Sequence, residues 1–327
     1  MAARVFIDGH AGTIGLRIRQ LLAGRRDLEV LELPESERKD AEARRRLLNA
    51  CDIAILCLPD EASIQAVSLL ENPTVRVIDG STAFRVSDGW AYGLPELGPE
   101  QREAIRSARF VSNPGCWPTC VSLLTRPLIQ QGLLPPGVAL SVHGVSGYSG
   151  GGKAMIARWE SPETGLVGLP YEAPYALDKI HKHVPEMQRY GLLEVAPYFR
   201  PSVGAFERGM RVEIPLLGAQ LSGAVDARSV TEAYERHYQS ERFVRVVPSD
   251  ASVPSSEASL DPRSCNGTNR VELRAIQHPQ GHVLLVAILD NLGKGASGAA
   301  VQSLNLMLGL PEDAGLLVAV TAPDASV

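Results

Sequence analysis

Arg4-Val5-Phe6-Ile7-Asp8-Gly9-His10-Ala11-Gly12-Thr13-Ile14-Gly15 is the stretch on which the fold turns. Its first five residues form a β-branched and aromatic run that reads as a short strand. Leu16 to Leu22, just beyond it, has helical apolar spacing. In a strand, glycine-rich turn and helix in that order, glycines let the backbone approach a pyrophosphate at a helix N-terminus. The spacing is G-x-x-G-x-x-G rather than the G-x-G-x-x-G of the usual dinucleotide fingerprint. The physical task is the same, so Gly9, His10, Ala11, Gly12, Thr13, Ile14 and Gly15 are the candidate cofactor-binding residues. The plain alternative is a tight turn with no ligand.

Leu28 to Leu33 reads as the second strand, with Glu32 where an acidic residue would take the ribose 2′-hydroxyl of NAD. The next segment, Pro34-Glu35-Ser36-Glu37-Arg38-Lys39, offers Ser36 and Arg38 to a 2′-phosphate and tilts the reading towards NADP. A solvated charged loop is the competing account. Asp52 to Pro59 is nearly continuous in apolar residues, as a parallel strand buried on both faces requires. Val75 to Asp79 is the next strand, and Glu61 to Leu70 reads as the helix between them. This alternation predicts a doubly wound α/β sheet. Gly80-Ser81-Thr82-Ala83-Phe84-Arg85 and Tyr92-Gly93-Leu94-Pro95-Glu96-Leu97 fall in the ligand-binding loop zone beyond the strand ends. Ser81 is a candidate cofactor contact there. Arg85 is an anion ligand or an exposed, salt-bridged arginine.

The chemistry centres on Val111-Ser112-Asn113-Pro114-Gly115-Cys116-Trp117-Pro118-Thr119-Cys120. A turn-forming run ends on a cysteine, and an apolar helical segment, Val121 to Gln131, follows. Pro118 suits a first helical turn, where its missing N–H breaks no bond. Cys116 then sits at the positive end of a helix, where thiolate is favoured over thiol. It reads as a nucleophile primed to attack a carbonyl, against the simpler reading of a buried structural cysteine, a role that suits Cys120 better.

From Gly137 the character shifts. Ser146-Gly147-Tyr148-Ser149-Gly150-Gly151-Gly152-Lys153 is a glycine-rich loop ending on a lysine, and it is not a Walker A sequence. It reads as a flexible or close-approach loop. His181-Lys182-His183-Val184-Pro185-Glu186 invites a metal, but the lysine and proline argue for proton management instead, and no metal is expected. Strand-like runs at Gly209 to Leu216, Phe243 to Val247, Val271 to Gln277 and Val283 to Leu289 predict a separate α+β domain. Asp290-Asn291-Leu292-Gly293-Lys294-Gly295-Ala296 then leads into a helix, Ala299 to Leu308, suited to pack back on the first domain. The tail after Pro323 reads as frayed.

At 327 residues the chain fits two domains better than one. A net charge of −5 gives no general reason to expect nucleic acid or an anionic membrane as partner. No apolar run approaches a membrane span, and the N-terminus has no signal-peptide layout. Five cysteines, scattered and odd in number, suggest neither a disulfide framework nor a paired metal motif. A reducing, cytoplasmic setting is the expectation.

Taken together these segments resemble the N-acetyl-γ-glutamyl-phosphate reductase family, in its shorter subclass, which is related to aspartate-semialdehyde dehydrogenase. The likeness spans nearly the whole chain and rests on seven ordered motifs. They are the glycine turn from Gly9, Asp79 to Arg85, Tyr92 to Glu96, Ser112 to Cys116, Ser146-Gly147, His181 to Glu186, and Asp290 to Ala296. Trp117 stands where many members have tyrosine.

The resemblance implies a Rossmann-like NADP-binding domain from residues 1–118 with 294–327. Residues 119–293 would form an α+β substrate and oligomerisation domain of the glyceraldehyde-3-phosphate dehydrogenase-like C-terminal type, in a dimer or tetramer. It implies that Cys116 captures an acyl phosphate as a thioester, which NADPH reduces to the semialdehyde, with His183 or His181 as acid–base group. Ser112 and Asn113 would hold phosphate, with Arg85, Lys153 and Arg208 as candidates for the substrate's anionic groups. Asn291 and Gly295 would contact the cofactor. The rivals are a reductase of aspartyl phosphate or of a carrier-bound acyl phosphate, a Cys/His hydrolase, and a silent NADP-binding regulator.

Overall fold

A computed structural model describes residues 2–38, 40–163, 168–249 and 260–317, so the tail after Pro323 lies outside the described residues. The chain divides into two compact units, one of Met1–Cys116 with Gly295–Leu316 and one built from Trp117–Lys294. Among the described residues, no helix is long and apolar enough to cross a membrane.

In the first unit β1 (Ala3–Asp8), β2 (Leu28–Leu31), β3 (Ile53–Leu56), β4 (Arg76–Asp79), β5 (Ala91–Tyr92) and β6 (Phe110–Ser112) form one sheet. Its order is β2-β1-β3-β4-β6-β5, and every pairing is parallel. The helices are α1 (Thr13–Leu22), α2 (Ala41–Ala50), α3 (Asp60–Ser68) and α4 (Pro99–Ser107), with Gly298–Met307 returning from the far end of the chain. Phe6, Ala54, Leu56 and Val77 cluster with Ala43 and Leu48 of α2 and Ala66 of α3. Val5, Ile7, Ile53, Ile55 and Ile78 alternate with them along the strands and are equally buried. A sheet covered on both faces therefore explains the nearly continuous apolar strands.

The returning helix is buried at all ten residues and packs on α1, α4 and β4. Its amides have partners, as burial demands. Gln302 Nε2 donates to Glu96 Oε1 (2.8 Å) and Glu312 Oε1 (2.7 Å), and Asn305 Oδ1 accepts from Arg25 Nη1 at 2.7 Å.

The second unit holds β7 (Ser141–Gly147), β8 (Glu172–Pro174), β9 (Tyr198–Gly204), β10 (Met210–Leu216), β11 (Val244–Val246), β12 (Val271–Gln277) and β13 (Val283–Leu289). They form a mixed sheet in the order β11-β12-β13-β10-β7-β9-β8, with β7–β9 and β11–β12 parallel and the other pairs antiparallel. Its helices are α5 (Cys116–Gln130), which starts on the last residue of the first unit before the break, α6 (Gly152–Trp159), α7 (Val184–Gly191) and α8 (Ala227–Tyr238).

α5 carries Pro127 in its interior. Proline has no N–H for the carbonyl four residues back, which would orphan Leu123 O. Tyr238 Oη donates to that carbonyl at 2.7 Å, and Tyr234 Oη donates to Leu124 O at 2.8 Å. The two tyrosines thus repair the helix and fasten α8, which lies on β11 and β12, to α5. The loop expected at 146–153 is more ordered than its glycines suggest. Tyr148–Gly151 makes a short turn, α6 begins at Gly152, and Tyr148 stacks on Trp159 across it at 5.7 Å.

Candidate active site

The strands of the parallel sheet end in register along Asp8, Leu56, Asp79, Ser112 and Tyr92. The glycine turn follows β1 at this edge. Gly9 has φ +87°, and a Cβ there would lie 2.4 Å from Cys57 O. A Cβ on Gly15 would lie 2.4 Å from Gly9 O, so both positions require glycine. Gly12 caps α1 with no side-chain hydrogen bond, whereas α2 and α8 are capped by Asp40 and Asp226. An uncapped first turn approached by glycine backbone fits the pyrophosphate of a nicotinamide dinucleotide. Gly15→Ala must push backbone aside. It is expected to cost about 1–3 kcal/mol of stability and to weaken binding of a nicotinamide dinucleotide at least about tenfold. Urea unfolding and a fluorescence titration with NADPH would measure both.

Two acid–base pairs shape the cofactor side, and sequence reasoning missed them. Asp8 is buried, and its Oδ2 accepts from Arg44 Nε (3.0 Å) and Nη2 (2.9 Å), which neutralises a carboxylate beside the glycine turn. The acid closing the first strand was the only local signal. Glu32 is paired with Arg19 at 2.5 Å. Ser36 and Arg38 lie on the exposed turn after β2, where Arg38 Nε meets Glu35 Oε1 at 3.0 Å. An exposed pair of this kind is worth only about 0–1 kcal/mol, so it is no barrier to Arg38 turning to a phosphate.

After β4, Asp79 is wholly buried, and its Oδ2 accepts from Ser81 Oγ (2.6 Å) and Ser81 N (3.1 Å). Burial raises the Asp79 carboxyl above its ordinary range, against the lowering effects of Ser63, Ser81 and Arg85. The Ser81 hydroxyl therefore faces inward. Arg85 is buried, not a surface arginine, and donates from Nη2 to Gly80 O at 3.0 Å.

The cysteine turn is fixed from several sides. Ser112 is fully buried and donates from Oγ to Ala91 O at 3.4 Å. Asn113 N donates to Asp79 O (2.7 Å) and Asn113 Nδ2 to Ala296 O (3.0 Å), which ties the turn to the returning segment that carries Gly295. Asn113 Oδ1 is buried with no hydrogen-bond partner among the described residues. Cys116 is the first residue of α5 and is partly exposed. The other thiols contrast with it. Burial pushes Cys51 up to about 11 and Cys57, beside Asp79 and Asp8, up to about 12, while Cys120 and Cys265 are buried.

In the second unit His181 and His183 have different tasks. His181 Nδ1 accepts the backbone N–H of His183 at 3.1 Å, and its ring meets Phe199 (5.2 Å) and Tyr175 (5.8 Å) edge-on. Burial, with Lys182 and Lys179 nearby, lowers its pKa to about 4, so it is a neutral acceptor at pH 7. His183 is buried at the start of α7. Lys153 is exposed on the first turn of α6. Asn291 is buried: its Oδ1 accepts from Gly209 N (2.8 Å) and its Nδ2 donates to Ser149 Oγ (3.1 Å). Its amide thus joins two loops of its own unit. The loop from 205 to 209, between β9 and β10, presents Arg208.

Sequence comparison places these features in a family. A family model described as semialdehyde dehydrogenase, NAD binding domain, matches residues 4–107. One described as semialdehyde dehydrogenase, dimerisation domain, matches residues 116–291. The chain is 49% identical over 306 residues to N-acetyl-gamma-glutamyl-phosphate reductase 2 of Pseudomonas putida, covering 93% of this chain and 96% of the relative. It is 51% identical over 311 residues to N-acetyl-gamma-glutamyl-phosphate reductase of Rhizobium etli, covering 94% and 99%. Among solved structures, aspartate semialdehyde dehydrogenase II of Vibrio cholerae, complexed with ASA, shares the fold with a TM-score of 0.72 at 18% identity, covering 94% and 99%. With its parallel dinucleotide-type sheet, its mixed second sheet and relatives this similar over almost their full length, the chain belongs to the N-acetyl-γ-glutamyl-phosphate reductase family.

Proposed function

We propose that the protein reduces N-acetyl-γ-glutamyl phosphate to N-acetylglutamate semialdehyde with release of phosphate, in arginine biosynthesis. The observation that carries this reading is Cys116 at the first residue of α5, after a buried turn, in a chain about half identical to reductases of that name. Cys116 thiolate attacks the acyl carbonyl, and the C–O bond to phosphate breaks to leave a thioester. His183 takes the thiol proton and passes it to the departing phosphate. Backbone N–H groups at the start of α5 hold the oxyanion. A nicotinamide dinucleotide held by the glycine turn would supply the hydride that reduces the thioester carbonyl. The resulting thiohemiacetal oxyanion collapses to the aldehyde and returns the thiolate. Gly9 to Gly15, Ser36, Arg38, the Ser81 loop and Gly295 hold the cofactor. Asn291 acts through the loops it joins. Ser112 and Asn113 form the phosphate side, and Arg85 and Lys153 stand as further candidates for anionic groups.

NADP is favoured over NAD because Glu32 is engaged by Arg19, while Ser36 and Arg38 lie on an exposed turn. A homo-oligomer, dimer or tetramer, accords with the matching dimerisation-domain family.

The reaction run backwards tests this reading and avoids the labile acyl phosphate. N-acetylglutamate semialdehyde, phosphate and NADP are mixed with the protein, and absorbance of the reduced nicotinamide is followed. Phosphate-dependent reduction is expected, with none from aspartate semialdehyde. Activity only with aspartate semialdehyde keeps the chemistry and changes the substrate. Activity with neither, in folded protein, would leave a hydrolase or a silent binder.

A further inference from the structure

We propose that Arg208 is the receptor for the substrate's carboxylate, with Glu207 as the internal group that this carboxylate displaces. The proposal rests on the reductase reading and names a recognition element for it. Arg208 lies in the loop that carries the chain from β9 past β7 to β10, and the loop backbone is fixed on several sides. Tyr148 N donates to Phe206 O (2.9 Å), Ser149 N to Glu207 O (3.1 Å) and Gly147 N to Gly209 O (2.9 Å). Asn291 Oδ1 takes Gly209 N, and Asn266 Nδ2 donates to Arg208 O at 2.9 Å. A side chain on so constrained a backbone is held before a ligand arrives.

The guanidinium itself is under-used. Its ion-pair neighbours are Glu207 Oε1 at 3.6 Å from Nε and Asp290 Oδ2 at 4.0 Å from Nη1, both beyond hydrogen-bonding reach. Nε is buried with no hydrogen-bond partner among the described residues, while the side chain as a whole is 30% exposed. A guanidinium has five donors in a fixed fork.

The two carboxylates differ in kind. Asp290 is completely buried, and its oxygens are taken by Leu292 N and Gly267 N, each at 2.9 Å. It is a fixed counter-charge that orients Arg208 without using its donors. Glu207 is 57% exposed, and so loosely held a surface partner is cheaply displaced.

The substrate's chemistry selects the ligand. Its phosphate is bonded to the carbon that Cys116 attacks, so it stays with the cysteine turn. The remaining anion is the carboxylate, and a planar fork matches a carboxylate with two parallel hydrogen bonds.

The test compares two aldehydes in the reverse reaction: N-acetylglutamate semialdehyde and 4-acetamidobutanal, the same molecule without its carboxylate. The parent protein is expected to favour the first by about 100-fold in kcat/KM. In Arg208→Gln that ratio falls towards unity through a raised KM for the carboxylated aldehyde. Glu207→Gln moves the opposite way, lowering KM for the carboxylated aldehyde about two- to threefold. A wild-type ratio retained in Arg208→Gln overturns the proposal. If Arg208→Gln is inactive on both aldehydes because Asp290 has lost its counter-charge, Arg208→Lys keeps that charge and decides. A ratio reduced about tenfold supports the receptor, and an unchanged one overturns it. A parent protein that uses both aldehydes equally refutes the receptor alone. One that uses neither refutes the reductase reading.

Discussion

With Cys116 replaced by alanine, turnover is expected to fall at least about 10,000-fold while NADPH binds as in the parent protein. The split follows from where the cysteine stands. The glycine turn and α1 follow β1, whereas Cys116 follows β6 and only begins α5. Removing one sulfur there leaves Gly9, Gly12 and Gly15 untouched. The local environment also separates this thiol from the other four. A helix N-terminus favours thiolate, and Cys116 is partly exposed. Cys57 is also partly exposed, but desolvation of its thiol, with Asp79 and Asp8 nearby, pushes it up to about 12. Cys51 is pushed up to about 11, and Cys51, Cys120 and Cys265 are buried. Brief treatment with iodoacetamide near pH 7 should therefore alkylate Cys116 ahead of the rest and inactivate the protein in proportion. Peptide mass spectrometry reads the site, and a nicotinamide fluorescence titration reads the binding. Retained activity in Cys116→Ala would remove the thioester from the mechanism. First labelling at Cys57 would show that burial and the two neighbouring aspartates do not suppress that thiol.

What could be read from the chain before its structure was largely what short-range chemistry dictates. The apolar run from Ile53 to Leu56 has one stable use, a parallel strand covered on both faces, and it takes it, with Val77 and Ile78 buried on the strand beside it. The glycine turn was legible because the strand before it and the helix after it are themselves local signals. The helix after Ser112–Gly115 was legible too, with Cys116 at its N-terminus and Pro118 in its first turn. The unread features depend on partners far apart in sequence. Arg44 meets Asp8 across 36 positions, and Tyr238 reaches Leu123 across 115. Nothing near Pro127 announces that two tyrosines will mend the helix it interrupts. Arg85 was open to reading as a surface residue because arginine usually is one, and only the fold encloses it. Asn291 shows the same limit at the site. Its motif suggests a cofactor contact, and the bonds that Gly209 N donates to its oxygen and its nitrogen donates to Ser149 Oγ are visible only in the fold. Asp290, beside it, drew no role from sequence at all, since a buried carboxylate gains meaning only from the N–H groups around it.

His183→Asn is expected to lower kcat by about 100- to 10,000-fold, and His181→Asn by no more than about 30-fold. The ranking comes from hydrogen bonding and charge. His181 offers Nδ1 as acceptor to the backbone N–H of His183, so it works as a neutral ring that shapes the start of α7. Its pKa of about 4, lowered first by burial and then by Lys182 and Lys179, leaves it unprotonated across the working range. It therefore cannot supply a limb of the pH–rate profile between about pH 5 and 8. A limb in that window should persist in His181→Asn. Stability should respond the other way round. The unfolded chain protonates His181 near its ordinary value of 6.5, while the folded chain resists until about 4. Between those values the unfolded state binds more protons, so this group's contribution is complete above pH 6.5 and declines as pH falls towards 4. Urea midpoints across that window should drop less steeply in His181→Asn than in the parent. If the rate limb disappears with His181 and survives the loss of His183, the two assignments exchange places, and the bond from His183 N to His181 Nδ1 becomes the support of the acid rather than of its neighbour.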